Sequence, residues 1–337
     1  MALTTTPLST LETFDTPLLA VPVFGSNDAE ARRTQGPGRA ALPKDLPKAI
    51  GNSLRTAAED LRAQVGEKLQ TYAAAGVDGP LRVVFIGVGK PEGELTAEDV
   101  RVFAGHAIRR AEALRVTSVT IFVPTGGEAG EEGSAQAAAE GAVLAAWRFR
   151  ELKTGMGETE TPTQVDDIVL VGDGEPFEAG AAAGTITGEC ENVARSLQSR
   201  PGNVATPTHL ADEATRLGEA YGFEVQAMNR AALEQDGFRS ILAVSKGSAE
   251  EPRLIVMKHM GGPKGERPVV LVGKGLTFDA GGISLKPPKG MEEMRFDMSG
   301  GAGVIGAMTA IARLGVKKNV VGIVPSSENL LGASAQK

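Results

Sequence analysis

The sequence predicts an α/β protein of two domains, each a mostly parallel or mixed sheet flanked by helices. Three observations carry this. Short apolar runs of strand length alternate with segments whose apolar residues recur at helical spacing, the pattern of strands joined by crossover helices. The 337 residues suffice for two domains at roughly 100–200 residues each. A strong breaker cluster, Arg200-Pro201-Gly202-Asn203, interrupts the alternation past the middle of the chain. The expected division is an N-terminal α/β domain over residues 1–175, a connecting helix over 176–202 and a second α/β domain over 203–337.

Taken in order, Leu18 to Phe24 is a short apolar strand, and the Gly- and Pro-containing stretch that follows it to Pro47 is a loop or extension. Leu54 to Ala75 has apolar residues at helical spacing, and Gly76 to Pro80 punctuates the chain before the apolar strand Leu81 to Val88. The alternation continues with Thr96 to Leu114 as helix, Ser118 to Val123 as strand, an Ala-rich helix from Glu132 to Phe149 and a strand at Asp167 to Val171. A long helix spans Ala179 to Ser199 and ends at the breaker cluster. Beyond it come helices at Thr208 to Tyr221 and Arg230 to Gln235, with strands at Phe223 to Ala227, Ile241 to Val244, Arg253 to Lys258 and Pro268 to Val272. Gly303 to Leu314 reads as a further helix and Val320 to Val324 as a buried strand.

Composition narrows the function. The formal charge is -7, so no overall basic field exists to hold nucleic acid or an anionic membrane, and small or neutral partners are expected. The single cysteine, Cys190, can neither staple the fold nor build a thiolate zinc site, and it fits a reducing compartment. The first residues lack a basic region followed by an apolar stretch, and no run of eighteen apolar residues occurs. A cytoplasmic protein without a membrane partner is the expectation.

The residues able to carry chemistry concentrate between Val269 and Gly303. An apolar strand ends in Lys274, Asp279 follows in a Gly-flanked turn, Lys286 precedes two prolines, and Asp297 precedes a glycine cluster that opens a helix. Four ionisable groups on loops at one end of a sheet occupy the usual place for an α/β site. Carboxylates with few histidines suit divalent ions that accept oxygen ligands, so Asp279 and Asp297 are candidates to share such a site. Lys274 can join them only as the neutral amine, with its pKa lowered by burial and an adjacent cation. Lys286, kept charged, can stabilise a developing oxyanion. Any one of these residues, taken singly, reads as a solvated loop group; their joint setting is what distinguishes them.

That setting is recognisable. GKGLTFDAGGISLKP followed by MRFDMSGG closely resembles the leucyl aminopeptidase (cytosol aminopeptidase) family of dinuclear metallopeptidases. The resemblance extends back through ENVARSLQSRPGNVATPTHLADEA and ILAVSKGSAEEPRLIVMKHMGG, and more weakly into the N-terminal half through LRVVFIGVG and WRFRELKTG. Ala280 departs from the Ser or Thr of many members, at a position without a ligand role. The resemblance implies that Lys274, Asp279 and Asp297 are metal ligands, with Asp279 bridging two divalent ions, Mn²⁺ or Zn²⁺. It implies that Lys286 is the catalytic lysine and that Met291 lines the pocket for the substrate's first side chain. The implied reaction is release of N-terminal, leucine-like residues from peptides, with the ions anchoring the α-amine, polarising the carbonyl and supplying a bridging hydroxide. A hexameric assembly is implied as well.

The family's Asn-Thr-Asp-Ala-Glu-Gly-Arg motif, which resemblance would place after VVGIVPSSENLLG, does not occur in the sequence. The second domain is therefore expected to be an incomplete catalytic domain. The chain alone is expected to bind metal weakly, hydrolyse peptides poorly and aggregate through uncovered apolar faces such as Val320 to Val324.

Competing motifs are weaker. Gly301-Ala302-Gly303-Val304-Ile305-Gly306 matches G-x-G-x-x-G, but the charged MRFDMS stands where a buried strand belongs, so glycines easing helix packing are favoured over a nucleotide site. Ile86-Gly87-Val88-Gly89-Lys90 lacks the phosphate-loop pattern and reads as a strand-ending turn. His106, His209 and His259 are dispersed without an H-E-x-x-H pair, which excludes a zincin. The rival functions are a catalytically dead remnant serving as a binding or structural protein, and an accessory DNA-binding role that the acidic balance disfavours.

Overall fold

Strands that are apolar on both sides need cover on both faces, and the first half of the chain supplies it. The structure, a computed structural model, describes residues 1–8, 16–25, 41–43, 46, 60–73, 81–154 and 163–333. The chain divides into two units, Met1–Gly188 and Glu189–Lys337.

The first unit is built on β1 (Ala2–Thr6), β2 (Leu19–Val23), β3 (Lys68–Ala73), β4 (Leu81–Gly87), β5 (Ser118–Phe122) and β6 (Asp167–Val171). They form one sheet in the order β1-β6-β5-β2-β4-β3. All neighbours pair parallel except β3, which runs antiparallel to β4. Alternation sorts the side chains: Val84 and Ile86 join the core under α1 (Ala97–Ala113) and α2 (Gly130–Ala146), whereas Val83 and Phe85 join Leu46, Leu61 and Ala63 on the other face. Helix α1 starts at a capping box in which Thr96 and Asp99 satisfy each other's backbone N–H. Gly141 lets α2 touch α1, because a Cβ there would overlap the Arg101 carbonyl.

Sequence reading and structure part at two places in this unit. The helix expected over Leu54–Ala75 is replaced, in residues 60–73, by a turn at Val65-Gly66 and then β3. Gly66 has φ +74°, and Lys68 to Ala73 complete the sheet edge against β4 in full register. The rest of that expected helix, and most of the loop expected before Pro47, lie outside the described residues. Strand β1, to which the sequence reading assigned no element, pairs with β6 through five residue pairs.

Helix α3 (Glu175–Ser199) contains the division between the units. In the second unit, α4 (Pro207–Tyr221) is capped by the Thr206 side chain, has proline in its first turn and stops at Gly222 in the left-handed region. There follow β7 (Glu224–Met228), α5 (Arg230–Gln235), α6 (Arg239–Val244), β8 (Arg253–Met260), β9 (Val269–Val272), β10 (Gly275–Asp279), α7 (Ser299–Arg313) and β11 (Asn319–Asn329). Ile241–Val244, expected as a strand, is the last turn of α6; four consecutive apolar residues carry no period that could separate the two.

The long strand β11 organises the second sheet. It pairs antiparallel with β8, which pairs antiparallel with β7. Along its other side lie β9, opposite residues 320–323, and β10, opposite 326–329, both parallel to it. Helices α4 and α7 cover Ile255, Met257, Val320 and Val324. Val320 and Val324 are thus buried, in keeping with the reading of a buried strand, and they do not form the uncovered apolar face also expected here. The exposed apolar edge is β9 instead, where Val269, Val270 and Val272 are 55%, 50% and 67% exposed.

Candidate functional site

Two ion pairs are assembled around β10 by local backbone geometry. Between β9 and β10 the chain breaks at Gly273-Lys274, where the Lys274 carbonyl accepts from the Gly301 N–H at 2.8 Å. Gly273 is required there, since a Cβ would overlap the Gly300 backbone and hold the start of α7 away. Lys274 therefore stands midway along the sheet edge, not on a loop at its end. Its Nζ lies 2.6 Å from Oδ2 of Asp297, which caps the C-terminus of the 3₁₀ turn Met291–Phe296.

Asp279 is the last residue of β10. The chain then turns through Gly281 and Gly282, both with positive φ, and the Lys286 N–H donates back to the Ala280 carbonyl at 2.9 Å. This closed loop returns Lys286 to its own start: Nζ is 2.7 Å from Oδ2 of Asp279 and 2.9 Å from Sδ of Met294. The other carboxylate oxygen of Asp279 accepts from the Gly281 N–H at 3.0 Å and from Nδ2 of Asn329 at 2.7 Å. Burial alone would push the Asp279 carboxyl up. The hydrogen bonds from Lys286, Gly281 and Asn329, with the Lys286 charge, outweigh it and hold the group below the usual carboxylate range.

The arrangement thus offers two carboxylates and two lysine amines whose polar atoms already meet in pairs. Lys274 and Asp297 reach a common point, as two ligands of one cation must, and Asp279 is held ionised. These residues fit part of a cation site. Divalent ions take four or more donors, and among the described residues no group of three His, Cys, Asp or Glu side chains converges on one point. An open, largely apolar cleft of about 620 Å³ flanks Lys274, lined by Phe238, Ile241, Val244, Leu254 and Leu276. Met291, at the start of the 3₁₀ turn, is not among the residues lining this cleft.

Sequence reasoning did not find Asn329 or Met294. Asn329 is fifty positions from the carboxylate it holds, and only the parallel pairing of β10 with β11 brings them together. Met294 lies three residues past Met291, in a stretch that carries no periodic signal.

The other motifs fall into structural roles. Gly301, Gly303 and Gly306 lie inside α7, not in a turn before it. Gly301 packs against Val324 and the Lys274 carbonyl, and Gly306 against the Cys190 backbone. Gly87 ends β4, and Lys90 pairs with Asp99 at 2.8 Å. The ring Nε2 of His259 is 2.8 Å from the Val316 carbonyl oxygen, that of His209 is 2.7 Å from Arg200 Nη1, and Cys190 is a buried free thiol. No helix among the described residues is long and apolar enough to cross a membrane.

Comparison with known proteins matches both units. Residues 192–337 match the sequence model of the cytosol aminopeptidase family, catalytic domain, and residues 20–155 match that of the family's N-terminal domain. A probable cytosol aminopeptidase of Bdellovibrio bacteriovorus is 41% identical over 258 residues, 76% of this chain and 51% of that protein. One of Chlorobaculum parvum is 37% identical over 312 residues, covering 87% and 61%. One of Alkalilimnicola ehrlichii is 36% identical over 338 residues, covering 97% and 65%. The chain thus spans between half and two thirds of the length of these relatives. Among solved structures, the bottromycin maturation enzyme BotP superposes with a TM-score of 0.72 at 27% identity, covering 96% of this chain and 62% of that one. BotP in complex with Mn superposes with a TM-score of 0.73 at 26% identity.

Proposed function

This chain belongs to the cytosol aminopeptidase family, and from that premise we propose that the Lys274–Asp297 and Lys286–Asp279 pairs are parts of a metal-dependent aminopeptidase centre. The observation that carries the reading is the pair of ion pairs that β10 sets at its two ends, Lys274 with Asp297 and Lys286 with Asp279. In this proposal Lys274, Asp279 and Asp297 would hold a pair of divalent ions, Mn²⁺ or Zn²⁺. The manganese complex of BotP supports the first of these metals. Such ions supply Lewis-acid polarisation of a scissile carbonyl and lower the pKa of water.

The chain's own residues have distinct tasks. Asp279 is presented by three hydrogen bonds that keep it deprotonated and fix its oxygens. Lys286, tethered by the closed glycine loop with its ammonium group beside Asp279, would serve to stabilise the oxyanion of a tetrahedral intermediate, a role suited to a preorganised donor. Were Asp279 to hold a cation, Lys286 would still be kept in place by its backbone hydrogen bond to the Ala280 carbonyl. Met291 is proposed to line the pocket for the substrate's first side chain. The proposed substrates are peptides with a free N-terminus, leucine-like residues preferred, and the proposed setting is a cytoplasmic hexamer without nucleic acid.

Three side-chain donors are fewer than a divalent pair requires. The chain by itself is therefore proposed to bind metal weakly and to turn over slowly, and a family member that binds without catalysis is the second reading. The test is ammonia release from leucine amide with added Mn²⁺, alongside Asp279→Asn. Slow, Mn²⁺-dependent release that the variant abolishes supports an enzyme, and metal binding with no release supports the second reading. Turnover equal to that of a full-length relative would overturn the weak-site proposal. Release that is indifferent to Asp279→Asn would overturn the assignment of the centre.

A further inference from the structure

We propose that the β3–α1 face of the first unit binds the phosphate groups of a small molecule through Lys68, Arg82, His106 and Arg110. The inference is independent of the metallopeptidase reading, which concerns the second unit.

Backbone periodicity puts these residues together. Lys68, Gln70 and Tyr72 alternate onto one face of β3, and Arg82 is the register partner of Tyr72 on β4. His106 and Arg110 stand one turn apart on α1, so their side chains lie on one face of that helix. The contacts join them in a row. Lys68 Nζ is 3.3 Å from Nδ1 of His106, and Arg110 Nη2 donates to Gln70 Oε1 at 2.9 Å. Gln70 Nε2 reaches the Tyr72 hydroxyl at 3.4 Å, and the Arg82 guanidinium lies 6.0 Å from the Tyr72 ring centre. At roughly 3.3 Å per strand residue the row is about 13 Å long.

What marks the row is missing compensation. The protein carries a net charge of -7, yet among the described residues none of these four basic groups is paired with a carboxylate. The Nε atoms of Arg82 and Arg110 are buried without a hydrogen-bond partner, so both guanidiniums are under-satisfied. Burial and the Arg110 charge push the Lys68 ammonium down, and burial and the Lys68 charge push the His106 ring down. The groups facing the row from β3, β4 and α1 thus repel one another.

A multiply charged oxyanion relieves that repulsion, and guanidinium forks match phosphate geometry. Basic groups are spread along the whole row, with Lys68 and His106 at one end, Arg110 at its middle beside Gln70 and Arg82 at the Tyr72 end, which favours a ligand with two phosphate groups over one. The row's length and the acidic remainder of the chain favour a small molecule over a polynucleotide.

The chain has three histidines, so ring-labelled protein gives three resolvable signals, with His106 assigned by His106→Gln. Titration with pyrophosphate at constant ionic strength is expected to shift the His106 signal saturably and leave His209 and His259 in place. Inorganic phosphate should saturate at several-fold higher concentration. Arg110→Gln should weaken the pyrophosphate response about tenfold, as loss of one charge-assisted contact does. Lys68→Gln, at an exposed position, should weaken it several-fold without disturbing the fold. The proposal is overturned if chloride at equal ionic strength reproduces the shift, if a folded Lys68→Gln or Arg110→Gln protein binds like the parent, or if only a DNA duplex produces a response.

Discussion

Asp279 and Asn329 are register partners at the ends of two parallel strands, and the Asn329 amide donates to the Asp279 carboxylate at 2.7 Å. A cross-strand amide thus fixes the rotamer of the carboxylate most central to the proposed centre. Replacing Asn329 by Leu removes a charge-assisted hydrogen bond and leaves a half-buried oxygen short of a donor. The expected cost is about 2 kcal/mol of stability by urea denaturation, together with a several-fold loss of Mn²⁺ affinity. An unchanged midpoint would show that the contact is dispensable.

Gly273 permits the approach of α7 to the Lys274 backbone. In Gly273→Ala the new Cβ must displace the Gly300 carbonyl, and overpacking of this kind costs about 1–3 kcal/mol. Because the displaced segment directly follows Asp297, the variant should lose metal affinity even where it remains folded. Gly303→Ala, whose Cβ meets nothing within 4 Å, is the matched control and should be neutral or slightly stabilising through helix propensity.

The first unit carries a half-buried acid whose behaviour sets an acid limit on stability. Glu140 on α2 accepts from Arg101 Nη2 at 2.6 Å, from Gln136 at 2.9 Å and from Thr187 at 2.8 Å. Burial would raise its pKa, but those hydrogen bonds and the Arg101 charge hold it below the usual carboxylate range. A depressed carboxyl contributes stability that is fully present above its unfolded pKa and is lost as pH falls through the folded value. Thermal unfolding of the parent should therefore weaken below about pH 4.3, whereas Glu140→Gln should start about 2 kcal/mol lower at neutral pH and decline less on acidification. Parallel pH profiles for the two proteins would contradict this.

Exposed valines on the edge strand β9 present unpaired backbone and apolar side chains together, the combination that templates association. The double substitution Val270→Lys, Val272→Lys should reduce concentration-dependent association measured by light scattering, with little change in unfolding midpoint. Association unaffected by the two lysines would place the sticky surface elsewhere.

Much of this fold was legible from residues because local signals agreed with tertiary context. Thr96 and Asp99 announce the start of α1, Gly222 announces the end of α4, and the near-continuous apolar run of Leu81–Gly87 announces a strand covered on both faces. Legibility failed where a period was accidental. Leu61, Val65 and Leu69 recur every fourth residue like a helix stripe, yet Val65 is 63% exposed and a left-handed Gly66 breaks the chain. At the candidate site, Lys274, Asp279, Lys286 and Asp297 were visible because they crowd into twenty-four positions. Asn329 was invisible because its proximity is a product of strand order alone. The β3–α1 row was hidden for the same reason: its four basic residues are spread from 68 to 110 along the chain.

The central claim is that Asp297, with Lys274 and Asp279, holds a divalent cation. Electron paramagnetic resonance of free Mn²⁺, titrated against the purified chain, tests it most directly. The account predicts weak, saturable binding to the parent protein and at least a tenfold loss in both Asp279→Asn and Asp297→Asn. Equal Mn²⁺ affinity in parent and both variants, with all three folded, would contradict it.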